Sequence, residues 1–239
     1  MGIYRKLNWV EFHTHNFIAI HHSRKFVQGF VRWEPAAALA APFVDAALAL
    51  RRRMGGGKGK HALSAEPIET MPAKYDAQLG RQATPVETHR SAAWVNWQLA
   101  VGAANEGREY RLYLVRDGAG EAVGYFILQR KPMPLLSGRF RDVMVGALRD
   151  WSIFDDDRAD ALSLALLAAR ESAAWGADAT LLPAHDEATI EGMRSLGFKA
   201  GEELRTVFHA VEPSSLVDAA YHDLAAWRFT PAEADGLVI

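Results

Sequence analysis

Arg158-Ala-Asp-Ala161-Leu-Ser163 opens a long alanine- and leucine-rich stretch with helical spacing. A helix start presents unpaired backbone N–H groups and the positive end of a dipole. An arginine there adds a cation, so such a helix start can receive an anion. Asp155-Asp-Asp157 stands directly before it, and two readings are open: the acids cap the helix start through the same dipole, or they oppose a bound anion. Asp150 ends an alternating segment, and two readings are open: a general base, or a strand-end acid bonded to a neighbouring turn. His185, at a strand–helix junction, titrates in the useful range, with a plain surface histidine as the alternative. Trp94 and Trp97 share a helix face; with Trp151 they are candidates for lining a substrate cleft, or for core packing.

Other chemistry is excluded or weak. With no cysteine in the chain, disulfides, thiolate metal sites and thiol catalysis are ruled out. His13 and His15 share a strand face, but without a third ligand a solvated face is the better reading, and His21-His22 has the same status; no metal is expected. Gly55-Gly-Gly-Lys-Gly-Lys60 imitates a phosphate loop, yet the Walker spacing needs Gly at 54 and Ser or Thr at 61, where Met54 and His61 stand. It reads as a linker.

The 239 residues are 49% hydrophobic and 23% charged, enough apolar material for a core. Lys+Arg 27 against Asp+Glu 29 gives a formal net charge of −2, so no nucleic-acid partner is expected. Met1-Gly-Ile-Tyr-Arg-Lys leads into an alternating strand rather than an apolar block, and Pro35 to Leu50 is too short to span a bilayer. A cytoplasmic location with no membrane partner is the expectation.

These residues must be positioned by the following elements. Strands are expected at 10–20 and 26–33, then a helix at 36–53 with Leu39, Phe43, Ala47 and Leu50 on its apolar stripe. A strand at 65–69 precedes helices at 72–80 and 86–99. Residues 108–116 alternate and pair across the turn Asp117-Gly-Ala-Gly120 with 122–130. A third long strand covers 140–150, a helix 158–175, a short strand 177–182, a helix 186–196 and a strand 203–211; the tail at 226–230 adds a further strand.

One pattern occurs twice. Asp186 through Met193 to Gly197-Phe198, followed by the alternating run to Val211, has a counterpart in Tyr4-Arg-Lys-Leu-Asn8-Trp9, followed by Val10 to Ile20. Each reads as a last helical turn, a Gly or Asn stop, an aromatic residue and a strand.

The order strand, two helices, three-strand meander, helix, strand, helix, strand resembles the GNAT superfamily of acyl-coenzyme A-dependent acyltransferases, over roughly residues 65–211. Arg158 to Ser163 resembles the family's pyrophosphate motif, (Arg/Gln)-x-x-Gly-x-(Gly/Ala), with Ala161 and Ser163 at the small positions, where the backbone must approach the diphosphate closely, and Leu166-Leu167 following. Asp186 to Phe198 resembles its Asn-x-x-Ala-x-x-x-Tyr-x-x-x-Gly-Phe block.

The resemblance implies an α/β fold with a mixed, mainly antiparallel sheet and helices on both faces. It implies three parts: 1–33 as the C-terminal remnant of a first such domain, 34–64 as helix and Gly-rich linker, and 65–239 as a GNAT-like domain. The strands at 10–33 would dock on the main domain or pair with a second copy. The resemblance also implies acetyl-CoA or another acyl-CoA held by Leu148, Arg158, Asp160, Ala161, Leu162, Ser163 and Asp186, and a small-molecule amine acceptor. The family's proton-donating tyrosine is replaced by Met193. The function that the resemblance implies first is acyl transfer by direct attack, against which the missing tyrosine stands. A catalytically degenerate binding module is the alternative, and Fem-type aminoacyl transfer from a charged tRNA is a third, disfavoured by the charge balance.

Overall fold

The computed structural model describes residues 10–31, 33–54, 61–81, 86–87, 90–104, 107–136, 139–208 and 227–228. The strands are β1 (Val10–Ile20), β2 (Ser64–Ile68), β3 (Val86–Glu87), β4 (Glu109–Arg116), β5 (Ala122–Leu136), β6 (Phe140–Ile153), β7 (Ala179–Ala184), β8 (Lys199–Phe208) and β9 (Trp227–Arg228). The helices are α1 (Arg24–Gln28), α2 (Glu34–Met54), α3 (Asp76–Leu79, preceded by a 3-10 turn at Ala73–Tyr75), α4 (Ala92–Ala103), α5 (Ala161–Ala174) and α6 (Glu187–Ser195).

Seven strands form one mixed, mainly antiparallel sheet in the order β2-β4-β5-β6-β7-β1-β8, and β3 pairs with β9 in a separate parallel ribbon. From β2 to β8 the chain runs in the order the resemblance implies, so the α/β fold class holds. The β4–β5 hairpin forms as its alternation dictates. Asp117 Oδ1 accepts from the amides of Ala119 and Glu121, and Gly120 takes φ +85°, a conformation in which a Cβ would be strained.

Both faces of the central strands are buried, which is why Val123 to Leu128 reads as an apolar run rather than a clean alternation. On one face Tyr113, Phe126, Leu128, Leu148 and Leu182 pack against Leu164, Leu167 and Ala168 of α5 and Met193 of α6. On the other, Leu112, Leu114, Tyr125 and Ile127 pack against Ala92 and Val95 of α4. Further along this second face, Val143, Val145 and Leu181 receive Phe26 of α1. Each fully buried Leu, Ile or Phe contributes about 1.5–3 kcal/mol.

Strand β1 lies inside the sheet. It is antiparallel to β7, from His15 opposite Ala184 to Ile20 opposite Ala179, and to β8, from Val10 opposite Phe208 to Ile18 opposite Lys199.

Several expectations need correction. The segment expected as a strand at 26–33 begins in the short helix α1; the backbone carbonyl of Ser23 accepts from Val27 N, and Phe26 is turned onto Phe140 with ring centroids 5.1 Å apart. The helix expected at 86–99 starts at Ala92, where Ser91 accepts from Trp94 N, and β3 precedes it. Strand β6 runs on to Ile153, and β7 and β8 are offset from the expected 177–182 and 203–211. The Tyr4–Trp9 copy and the Gly55–Lys60 linker lie outside the described residues.

The apolar stripe of α2 is also reversed. Leu39 is 72% and Phe43 77% exposed, and Ala37 and Ala41 face inward. The reason is close approach: Ser23 Oγ donates to the Ala41 carbonyl at 3.1 Å and Ser23 N to Asp45 Oδ1 at 2.8 Å, a spacing that only small side chains permit. Replacing Leu39 and Phe43 together with glutamine is therefore expected to change folding stability by no more than about 0.5 kcal/mol per site. A urea titration checks this; a loss of several kcal/mol would return those side chains to the core.

Candidate active site

The site is centred on Asp150 of β6, where a bulge breaks that strand's alternation. Its register with β5 steps from Asp150 opposite Ile127 to Leu148 opposite Leu128, leaving Arg149 as an extra residue. At nearly the same level β6 and β7 part. Their parallel pairing covers only Val145 opposite Ala179 to Ala147 opposite Leu181, although both strands continue. Beyond Ala147 the two edges diverge.

Asp150 points to the face that carries α4 and is 0% exposed. Arg90, 1% exposed, places Nε and Nη2 each 3.5 Å from Asp150 Oδ1. The Tyr125 hydroxyl donates to Oδ2, and Gln98 Nε2 lies 3.3 Å from the same oxygen. The guanidinium also stands 5.5 Å from the Trp94 ring centroid. Both carboxylate oxygens are thus engaged, and the group works first as the anchor of a buried network.

Sequence reasoning found Asp150 but not Arg90, Tyr125 or Gln98. The one available signal was polar residues (Tyr125, Gln129) set inside the apolar run of β5.

The tryptophans separate. Trp94 is half-buried beside Arg90, Trp97 is 59% exposed, and Trp151 is buried among the α5-side core, across the sheet from Asp150. They do not line one cleft. Leu148 is likewise a core residue, and Met193, at the tyrosine position, is fully buried and apolar. His15 lies beside Phe17, His21 Nε2 is 2.8 Å from Thr180 Oγ1, and no cluster of three metal-ligating side chains occurs among the described residues.

The start of α5 carries its own anion. Asp160 is the N-cap: Oδ1 accepts from Ser163 N at 2.7 Å, and Ser163 Oγ donates to Oδ2 at 2.7 Å. Arg158 is ion-paired with Asp117 in the β4–β5 turn. Desolvation at that turn pushes the Asp117 carboxyl up, but the Glu121 and Ala119 amides and the Arg158 charge together hold it below the usual carboxylate range. Asp155 caps its own turn, with Oδ1 accepting from Asp157 N at 3.0 Å. Asp186 similarly caps α6 by accepting from Thr189 N at 2.8 Å.

A diphosphate at α5 would have to displace Asp160 and would meet Asp155, Asp156 and Asp157 nearby. Like charges at 4 Å repel by about 1 kcal/mol even in bulk water, and by more when partly desolvated. The residues that the family resemblance assigns to the coenzyme's diphosphate do not fit that group.

No protein-family model matches the chain, and no curated protein matches it. Several solved structures are similar at low identity. A functionally unknown conserved protein from Staphylococcus epidermidis ATCC 12228 is 8% identical with a TM-score of 0.44, over 85% of this chain and 64% of that one. Saccharomyces cerevisiae N-myristoyltransferase with bound myristoyl-CoA is 10% identical with a TM-score of 0.49, over 86% of this chain and 55% of that one. A second structure of that enzyme, with myristoyl-CoA and inhibitors, is 12% identical with a TM-score of 0.48, over 86% and 54%. The chain spans between about half and two-thirds of the length of these proteins.

Proposed function

We propose that the chain is an acyltransferase of the GNAT type that moves an acyl group from a thioester to a small amine. The observation that carries this reading is the coincidence on β6 of the Arg149 bulge with the parting of β6 from β7. A bulge re-aims backbone N–H groups out of the ladder, and diverging parallel strands offer an extended edge along which a thioester arm can lie. In transfer by direct attack the amine nitrogen bonds to the carbonyl carbon, the C–S bond breaks, and the amine proton leaves through a nearby base while the thiolate is protonated. In this reading the Asp150 network holds the α4 side of the crevice in shape, and Asp150 is the candidate base should an acceptor displace Gln98 from Oδ2.

Because the α5 start is self-capped, the donor is held mainly by its acyl and thioester end. Acetyl-CoA and S-acetylpantetheine, which lacks the adenosine diphosphate, are therefore expected to raise the melting temperature by similar amounts at millimolar concentration. A large shift with acetyl-CoA alone would show that the diphosphate is gripped after all.

A second reading is favoured by the Asp160 cap and by Met193 at the tyrosine position: a binding module that has lost transfer. No shift with either thioester would select it.

A further inference from the structure

Helix α2 has one face against the protein and a second apolar face in water. Among its described side chains only Ala37 and Ala41 are buried, and Asp45 completes the inward face by accepting from Ser23 N. On the other side Leu39, Phe43 and Leu50 are between 57% and 77% exposed. Ala46 and Ala47 are exposed between them, and Ala36 and Ala40 partly so. These positions succeed one another at steps of three and four residues, so they form one stripe along the helix.

The stripe carries no charge. From Pro35 to Leu50 the one charged residue is Asp45, which belongs to the inward face. A helix that is apolar on all sides belongs in an interior, and this one has 21 residues, a length of about 31 Å. A contiguous apolar surface of that extent marks a contact site.

The choice of occupant follows from charge and shape. An anionic lipid surface calls for cations beside the apolar stripe. Arg51, exposed in the last turn, lies instead over Gly197, between α6 and β8. A charge-free face suits an equally charge-free one, and the face that meets this condition on the page is α2 itself. Strand pairing between copies through β1 is closed, because β7 and β8 occupy both of its edges.

We propose that α2 pairs with α2 of a second copy, antiparallel, about a two-fold axis at Phe43. Such an interface is isologous, so one patch must complement itself. This one does. The two-fold sets Leu39 at the level of Ala47 of the second copy, Leu50 at the level of its Ala36, and Ala40 at the level of its Ala46. Each leucine meets an alanine, and the two Phe43 rings meet at the axis, where an edge-to-face or offset pair is favourable. Small residues opposite large ones let the helices approach to the near end of the usual 8–10 Å range, roughly. The pair would bury on the order of 1,000 Å² in total, the low end of specific interfaces, so the dimer is weak and dilution separates it. The pairing is independent of the acyl-transfer reading.

Sedimentation equilibrium from low to high micromolar concentration is the first experiment. The mean mass of the parent is expected to rise from that of one chain to that of two. The double variant Leu39→Gln with Phe43→Gln should stay a monomer throughout, with a urea midpoint equal to that of the dilute parent, so its loss of pairing is not misfolding.

The register is tested by Ala47→Leu. It enlarges the apolar stripe but sets leucine against Leu39 of the second copy, and overpacking there should raise the dimer Kd about tenfold or more. The swap Leu39→Ala with Ala47→Leu restores a large side chain opposite a small one and should recover most of the affinity. Tighter association in Ala47→Leu alone would mean unspecific apolar adhesion and overturns the register. A parent that remains monomeric at high micromolar concentration overturns the dimer. If that monomer binds vesicles of phosphatidylglycerol and phosphatidylcholine, and the Leu39→Gln, Phe43→Gln variant does not, the face belongs to lipid instead.

Discussion

Replacing Asp150 with alanine is expected to cost about 3–5 kcal/mol of folding stability. The carboxylate is completely buried and holds Arg90, whose own exposure is 1%. Removing it leaves a guanidinium in the sheet–α4 interface with no counter-charge at Oδ1, and leaves the Tyr125 hydroxyl and the Gln98 amide without the oxygen they share. The cost is that of the buried polar groups left behind, not the worth of the pair. The double variant Asp150→Leu with Arg90→Met should therefore recover most of the loss, because apolar groups of similar volume replace a desolvated ion pair at little net cost. Urea unfolding measures both: a midpoint lowered by about 1–2 M in the single variant and largely restored in the double one. A single-variant loss under about 1 kcal/mol would mean that water reaches this carboxylate and that Asp150 is not the buried anchor described.

That network also marks where sequence reading stops. Asp150 was legible because it ends an alternating run, but its partners arrive from far along the chain, Arg90 from 60 residues upstream and Gln98 from 52. Periodicity reports what shares a face, not what meets it. The same limit explains α2, where the helix was correctly expected but its Leu39 and Phe43 face turned out to be the exposed one; the contact of Ser23 with Ala41 decides that, and nothing local announces it.

Local chemistry was more informative at α5. Asp160 followed by Ser163 is an ordinary N-cap sequence, and the side chains satisfy each other as that rule says. Reading Arg158 to Ser163 as a diphosphate motif set a family resemblance against the capping rule, and the capping rule describes the geometry. Strand β1 shows a third case. Its alternation identified it as a strand, but its place between β7 and β8 depends on which edges were available, which is information about the whole sheet.

Gly146→Ala is the second substitution with a large expected effect, because this position sets how closely α5 lies on the strand that carries the site. A Cβ built there would meet Ser172 Oγ at 2.0 Å, Ser172 Cβ at 3.2 Å and Thr180 Oγ1 at 3.3 Å. Ser172 is fully buried, and its hydroxyl accepts from Thr180 Oγ1 at 2.6 Å, so it cannot rotate away without breaking a buried hydrogen bond. The helix must lift or the strand must shift, at a cost of about 1–3 kcal/mol. Ser172→Gly on top of Gly146→Ala should recover part of that, since it removes both nearer obstructions while leaving Thr180 to its bond with His21. Thermal unfolding of the two variants separates overpacking from a general intolerance of change on β6. If Gly146→Ala alone melts with the parent, α5 does not press on the strand, and the parting of β6 from β7 one residue further on has a different cause. If the variant is destabilised and the double one is not rescued, the strand itself has moved, and binding of S-acetylpantetheine should fall with it.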